Sequence, residues 1–382
     1  MSSSSNTDNA RAWLRLLRAG VVASALRRMT EAHGSACAAI ERPHAEWRAA
    51  GTDADSLTAL GSLDSNAHAA DCAWLDAPDH HLIGWDDPDY PALLRRIPSP
   101  PPALFVAGDA NLLWNPQIAV VGSRNATAGG IDNARDFSRA LIAAGLTITS
   151  GMAEGVDAAA HLAALEANAP TIAVVGTGTD IAYPRQHTKL AARIRANGAI
   201  VSEFLPGTAA RQQHFPRRNR ILAGLTLGTL VIEAAERSGA LITARLASEA
   251  GREVFAVPGS IHNPLARGCH RLIRQGAALV EDAREVIEAL APVAAELADA
   301  LRARLHDADV TGVPAAAHAQ APDADQRQLL EAMGHDPVGI DVLTQRTGLT
   351  VAELSSMLLI MELQGLVAAE HGRYSRKMSR NT

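Results

Sequence analysis

Seven short apolar runs, most of them ending in small or acidic residues, constrain this chain more than any other feature. They are QIAVVGS (117–123), LTITSG (146–151), PTIAVVGTG (170–178), AIVSEF (199–204), GTLVIEA (228–234), REVFAVPG (252–259) and AALVED (277–282). Ala- and Leu-rich stretches of helical length separate them. A strand that is apolar throughout needs cover on both faces, and intervening helices supply it. The pattern therefore predicts an α/β domain, a doubly wound Rossmann-like parallel sheet, over residues 77–291. At 382 residues the chain has room for further domains on either side.

Upstream, residues 1–76 are rich in Ala, Leu and His, with Trp13, Trp47 and Trp74 as candidate core anchors. Trp13, Leu14, Leu16, Leu17, Val21 and Val22 fit a helix broken at Gly20, and LTALGSLD bends at Gly61. A small helical module of the SAM-like, helix-hairpin kind is expected, and its residues do not state its role. Downstream, residues 292–322 start helical and dissolve into Ala, Pro, His and Asp, the composition of a linker. Residues 323–382 then predict a winged helix. Thr350 can cap a helix carrying Val351, Leu354, Met357, Leu358 and Met361 on one face, with Glu353 at the capping-box position. A shorter helix before Gly348 and a hairpin turning near Gly372 complete that unit.

In a doubly wound sheet, ligands sit beyond the carboxyl ends of the strands. Four such ends are built of small residues: Gly122-Ser123 before Arg124, Ser150-Gly151, Gly176-Thr177-Gly178, and Ser238-Gly239. Glycine lets an oxyanion approach the backbone, and the next helix aims N–H groups and a positive dipole end at it. Charge gathers in the same region. The whole chain is formally −6, yet Ile181 to Gln275 carries 14 Lys and Arg against 5 Asp and Glu. That local excess is the footprint of a polyanion partner.

Within it, HFPRRNRILAGL (214–225) concentrates three arginines, Asn219 and Phe215. Consecutive helical residues diverge by about 100°, so Arg217 and Arg220 can share a face while Arg218 points elsewhere. Such a spread suits an extended polyanion better than a single phosphate. Phe215 offers a ring on which a nucleobase can stack, worth roughly 1–3 kcal/mol in single-strand binders. A purely structural reading stays open beside this one, with Phe215 in the core and the arginines paired to Glu203, Glu233 and Glu236.

Several chemistries find no motif. GTGTDI places Ile181 where a dinucleotide fingerprint needs its third glycine, and no P-loop, HExxH, GxSxG or CxxC occurs. Glu154, Asp157 and His161 fall at i, i+3 and i+7. They admit a metal or acid–base set, or an acidic first turn with a hydrogen-bonded histidine. His80-His81 reads as a surface pair. Cys37, Cys72 and Cys269 are odd in number and far apart, which argues against a disulfide framework and for a reduced, cytoplasmic setting. No run reaches the roughly 18–20 apolar residues of a membrane span, and MSSSSNTDNARAW lacks the layout of a signal peptide.

The chain resembles the DprA/Smf family of DNA-processing proteins. IAVVGSRNAT, SGMAEGVDAAAHLAAL, TIAVVGTGTDIAYP, SEFLPGT, HFPRRNRILAGL, SGALITARLASEAGREVFAVPG and GCHRLIRQGA carry the likeness in order from Ile118 to Ala277. The resemblance implies a non-enzymatic binder of single-stranded DNA that protects incoming strands. It also implies a homodimer formed through the Rossmann-like domain, and loading of the RecA recombinase during natural transformation and homologous recombination. By the same resemblance Arg124 contacts a phosphate, and Ser150 and Gly151 supply hydroxyl and backbone donors. Phe215, Arg218, Asn219 and Arg220 form a base-and-phosphate pocket with Lys189 nearby. Together with Gly122, Ser123 and Arg217 these are the expected DNA contacts, with no catalytic residue, metal or cofactor. Two positions depart from the family pattern, His187 and His270, where asparagine is common.

Two other functions compete. A phosphoribohydrolase needs a PGGxGTxxE loop, and ERSGALITARLASE lacks both its double glycine and its glutamate. A duplex-binding winged-helix regulator needs basic or amide side chains on its second helix. TVAELSSMLLIMELQGL instead carries two glutamates and no Lys or Arg, which favours a protein-contact role for the C-terminal unit.

Overall fold

The computed structural model describes residues 3–62, 65–311, 329, 332–333, 338–349, 354, 358, 367–370 and 373–376. It divides into two compact units, Met1–Arg304 and Leu305–Thr382.

Nine strands form the sheet of the first unit: β1 (His80–Gly84), β2 (Ala103–Gly108), β3 (Gln117–Val121), β4 (Thr147–Ser150), β5 (Thr171–Val174), β6 (Ala199–Ser202), β7 (Gly228–Val231), β8 (Glu253–Ala256) and β9 (Ala278–Leu279). Their spatial order is β1-β2-β6-β5-β4-β3-β7-β8-β9. All seven predicted runs are present as β3 to β9, each parallel to its neighbours among them. The sheet is not wholly parallel, however. β2 runs antiparallel to both β1 and β6, because an antiparallel addition needs no crossover helix and so escapes the β–α rhythm.

The helices are α1 (Ser3–Arg18), α2 (Ala23–His33), α3 (Ala36–Ile40), α4 (His44–Ala49), α5 (Ala54–Gly61), α6 (Ser65–Leu75), α7 (Ala92–Arg95), α8 (Ala128–Ala143), α9 (Val156–Glu166), α10 (Thr188–Asn197), α11 (His214–Leu225), α12 (Gly239–Glu249), α13 (Arg267–Arg274) and α14 (Ala283–Thr311). Side chains alternate across β3 in the way a sheet with two covered faces requires. Ile118 and Val120 join Phe137 and Leu141 of α8 and Ala160 of α9. Ala119 and Val121 join Ile221 and Leu225 of α11 and Leu241 of α12 on the other face.

Trp13, Trp47 and Trp74 are buried anchors of the helical module. Their cluster includes Leu82 of β1 and Ala103 and Phe105 of β2, so the helices cap the antiparallel edge. Asp86 fastens the join, accepting from Trp13 Nε1 at 2.7 Å, Asn9 Nδ2 at 2.9 Å and the Ala36 amide at 2.9 Å. His80 stacks on Trp74 with ring centroids 4.3 Å apart, while His81 is exposed. Before β2 runs a proline-rich strap, Pro98–Pro102. Prolines lack an N–H, so such a segment is held through its carbonyls. Ser99 O accepts from Arg220 at 2.6 Å, Pro100 O from Arg27 at 2.7 Å, Pro101 O from the Tyr90 hydroxyl at 2.7 Å, and Pro102 O from the Trp85 amide at 2.9 Å.

In the second unit, β10 (Val338–Gly339), β11 (Val367–Glu370) and β12 (Arg373–Arg376) form a sheet ordered β10-β12-β11. Helix α15 (Ile340–Thr347) ends at Gly348, whose φ of 74° is the left-handed cap that favours glycine. Leu343, Leu354, Leu358 and Val367 share the core with Leu329 and Met333. The linker expected over 292–322 is corrected in its first part: α14 continues through Pro292 to Thr311, and its Leu297 packs in the sheet cluster. The stretch beyond Thr311, the Thr350 cap with Val351, Glu353, Met357 and Met361, and the turn at Gly372 lie outside the described residues. β10 is an addition to the expected hairpin.

Candidate nucleic-acid interface

β3 and β7 are parallel neighbours, yet α8 after β3 packs on one face and α12 after β7 on the other. Departing helices of opposite side leave a crevice at the carboxyl ends, the topological switch point. A groove of about 730 Å³ opens there. Gly122, Ser123, Arg124 and Asn125 line it beyond β3, and Arg237, Ser238 and Gly239 beyond β7. Phe215, Arg218 and Asn219 of α11 and the side chain of Tyr183 form further walls. A smaller cavity of about 240 Å³ shares Arg124, Tyr183, Phe215 and Arg218 and adds Gly151 and Glu154.

Arg218 is the buried cation of the site, with 6% of its surface exposed. Its Nη1 donates to the Val174 carbonyl, and among the described residues its Nε has no partner. The guanidinium lies flat on Gly151, where a Cβ would collide with Nη1. Glycine is required at 151 to seat this side chain. Burial pulls the Arg218 pKa down to about 10, with Asp157 opposing that shift and Arg124 adding to it. The group therefore remains charged at neutral pH. Asp157 accepts from the amides of Gly151 at 3.1 Å and Ala153 at 3.3 Å. Burial pushes its carboxyl up, against the pull of Arg218 and those amides.

Arg124 is exposed, its guanidinium 5.9 Å from the centre of the half-buried Phe215 ring. The Phe215 and Tyr183 rings stand 5.2 Å apart at 40°, and Tyr183 is 43% exposed. An exposed arginine, a buried arginine and two rings gathered in one cavity can engage phosphates and flat bases together.

Other predicted residues lie elsewhere. Arg217 and Arg220 do share a helical face, but it turns to Glu203, whose Oε2 lies 3.1 Å from Arg217 and 2.5 Å from Arg220. The Glu203 side chain is only 1% exposed, so a buried carboxylate draws these two cations to itself. Neither lines the groove, and the structural alternative holds for this pair. The Ser150 hydroxyl donates to Val120 O of the neighbouring strand at 2.6 Å and is fully buried. Lys189 is exposed on the first turn of α10 and lines neither cavity.

The four glycine turns also differ in use. The Gly151 amide serves Asp157. Ser238 Oγ caps its own helix, accepting from the Ala240 amide at 3.3 Å. The Gly176 carbonyl holds the His214 ring at 3.1 Å, and the Gly178 amide donates to Thr208 O at 2.9 Å. Guanidinium groups, more than backbone cradles, face the groove. Tyr183, Arg211 and Arg237 line it without having been singled out. The YP dipeptide and the arginine directly before Ser238 were the available signals.

The Glu154, Asp157 and His161 set is not one helical face, since α9 begins only at Val156 after Gly155, whose φ is 74°. Glu154 bonds Gln186. Thr171 donates its hydroxyl to Ile148 O at 2.7 Å, so the His161 Nδ1–H donates to Thr171 Oγ1 at 2.8 Å. Burial pulls the His161 pKa down to about 3. The two histidines at asparagine positions hold loops: His187 Nδ1 meets Met152 O and His270 Nε2 meets Gly259 O, each at 3.0 Å.

The family profile of DNA recombination-mediator protein A matches residues 81–291, more than half of the chain. The chain belongs to the DprA/Smf family. A second profile, the DprA winged helix domain, matches residues 313–373. Protein Smf of Escherichia coli K12 is 43% identical over 304 residues, 79% of this chain and 79% of that protein. DNA processing protein DprA of Streptococcus pneumoniae R6 is 45% identical over 201 residues, 53% of this chain and 71% of that one. A crystal structure of DprA from Streptococcus pneumoniae superimposes with a TM-score of 0.67 at 35% identity, covering 73% of this chain and 97% of the other. DprA/Smf proteins are recombination mediators and not enzymes. Among the described residues no helix is long and apolar enough to cross a membrane.

Proposed function

We propose that the switch-point groove holds single-stranded DNA, and that the chain acts by binding that strand and presenting it for recombination. The observation that carries this reading is the gathering of exposed Arg124, buried Arg218 and the Phe215–Tyr183 ring pair around one cavity. Cations suit a phosphodiester backbone, and rings suit unpaired bases, which a duplex keeps stacked inside. The residues that meet the strand are Gly122, Ser123, Arg124, Gly151, Phe215, Arg218 and Asn219, joined by Tyr183 and Arg237. Lys189 flanks them, Ser150 supports them from the strand below, and Arg217 and Arg220 serve α11 itself. The binding unit is residues 77–291 together with the turns of α14 that pack on the sheet beyond them, and the stretch to 322, helical as far as Thr311, precedes the winged helix at 323–382.

Protection of incoming strands, delivery to the RecA recombinase during transformation, homodimerisation through the sheet domain and a cytoplasmic setting belong to the same proposal. They rest on family membership. Fluorescence anisotropy with a labelled single strand, competed by duplex and by mononucleotide at two salt concentrations, tests the core of it. Single strand should compete best, and its binding should weaken steeply with salt. Duplex competing better than single strand would instead assign the function to the winged helix. A mononucleotide competing as well as the strand would overturn the extended-polymer reading.

A further inference from the structure

The switch point of a doubly wound sheet ordinarily seats a ligand phosphate on the amino terminus of the helix after the central strand. Here that helix is α8, 16 residues long and entered from β3. Part of its seat is already taken by an acidic side chain of the protein itself. Glu233, two residues beyond β7 and only 7% exposed, reaches the start of α8 beside the groove. Its Oε2 accepts from the Thr127 amide at 2.9 Å. Its Oε1 accepts from the Thr127 hydroxyl at 2.7 Å and from Asn263 Nδ2 at 3.2 Å. Every partner is a donor and both oxygens accept, the pattern of an ionised carboxylate. Thr127 is the N-cap of α8, its own Oγ accepting from the Gly130 amide at 3.0 Å. Room is short directly beside that carboxylate, although Ala128 and Gly129 on the same turn are exposed. A Cβ on Gly130 would collide with Glu233 Oε2, and one on Gly122 would lie 2.9 Å from the Glu233 carbonyl.

We propose that Glu233 is a specificity-determining residue: its carboxylate occupies part of the anion seat of α8 from within and denies the switch point to the diphosphate of a free nucleotide. A diphosphate entering there would have to displace three hydrogen bonds and meet a fixed negative charge at close range. A DNA strand needs no helix terminus, because Arg124, Arg218 and Arg237 grip its singly charged phosphodiesters from the walls. Glu233 thus separates polymer from the abundant small nucleotides that share its chemistry. This deepens the single-strand reading and rests on it for its purpose.

Titration calorimetry with inorganic pyrophosphate tests the assignment on the full chain, comparing wild type with Glu233→Ala and Glu233→Gln. Glutamine keeps an acceptor for Thr127 and removes the charge, so it remains informative if alanine prevents folding. Pyrophosphate should bind at least tenfold tighter to Glu233→Ala and at least threefold tighter to Glu233→Gln than to wild type. A control, Glu253→Gln, removes an exposed carboxylate at the opposite end of the strands and should leave pyrophosphate binding within twofold. The proposal is overturned if the folded Glu233 variants stay within twofold of wild type, or if Glu253→Gln gains as much as they do. Single-strand binding by the wild type is measured alongside. Its failure would remove the DNA reading while the pyrophosphate comparison still decided what Glu233 excludes.

Discussion

At the scale of single residues, the site divides charge from stacking, and the division can be measured. Arg124 is an exposed cation with little to lose in the fold, so Arg124→Ala should weaken binding to every single-strand sequence alike. It should also flatten the plot of log affinity against log salt by about 0.7 for each phosphate left without its cation. Phe215→Ala should cost roughly 1–3 kcal/mol and leave that slope nearly unchanged, because stacking releases no counterions. Anisotropy titrations at three salt concentrations distinguish the two. Equal changes of slope in both variants would contradict the assignment. Arg218 is a less simple target, since its guanidinium is packed on Gly151 and bonded to Val174 O. Its contribution to binding is inseparable from its contribution to the rim.

At the scale of elements, α11 carries its arginines to two different ends, and the 100° step of a helix made that separation legible in the sequence. What the sequence left undecided was which side met the groove. That depends on Glu203, one of three glutamates open as partners in the sequence, which lies one residue beyond β6 and meets α11 through Arg217 and Arg220. The two arginines on that carboxylate should differ sharply. Arg220 is 16% exposed and also holds the strap, so Arg220→Ala should lower unfolding free energy by about 3 kcal/mol, the lower edge for breaking a buried pair. Arg217 is 57% exposed, and Arg217→Ala should cost less than about 1 kcal/mol. Urea midpoints compare them directly. The parallel strands were readable because apolar residues on both faces leave few other folds. β2 escaped notice because ALFVAG joins the sheet without a crossover. Ser150 was misplaced for a related reason: rim composition is visible in a sequence, but the direction in which a hydroxyl turns is not.

At the scale of the whole molecule, the helical module shares its core with the sheet's antiparallel edge. A chain starting at residue 77 would uncover Leu82, Ala103 and Phe105 and leave Asp86 without its three donors. Its melting temperature should fall by at least about 5 °C, since several kilocalories of apolar burial are lost. An unchanged melting curve would show the module to be independent. Acid should destabilise the sheet unit through His161. Its folded pKa of about 3 lies below the unfolded value near 6.5. The stability it contributes is complete above pH 6.5 and is lost as the pH falls toward 3. Denaturation at pH 7.5 and 5 should show a steeper loss in wild type than in His161→Gln.

The strap of Pro98–Pro102 has one more implication, which concerns how the chain tolerates change. Four carbonyls in succession are fastened, and a carbonyl is the one group that every amino acid possesses. Replacing exposed Ser99 with another residue content in an extended path would leave the fastenings in place. Losing Arg27, Tyr90 or Arg220 would not. Variation should therefore be tolerated at exposed Pro98 and Ser99, whereas buried Pro100 to Pro102 resist it, and damage to the strap also arrives from substitutions made elsewhere in the sequence.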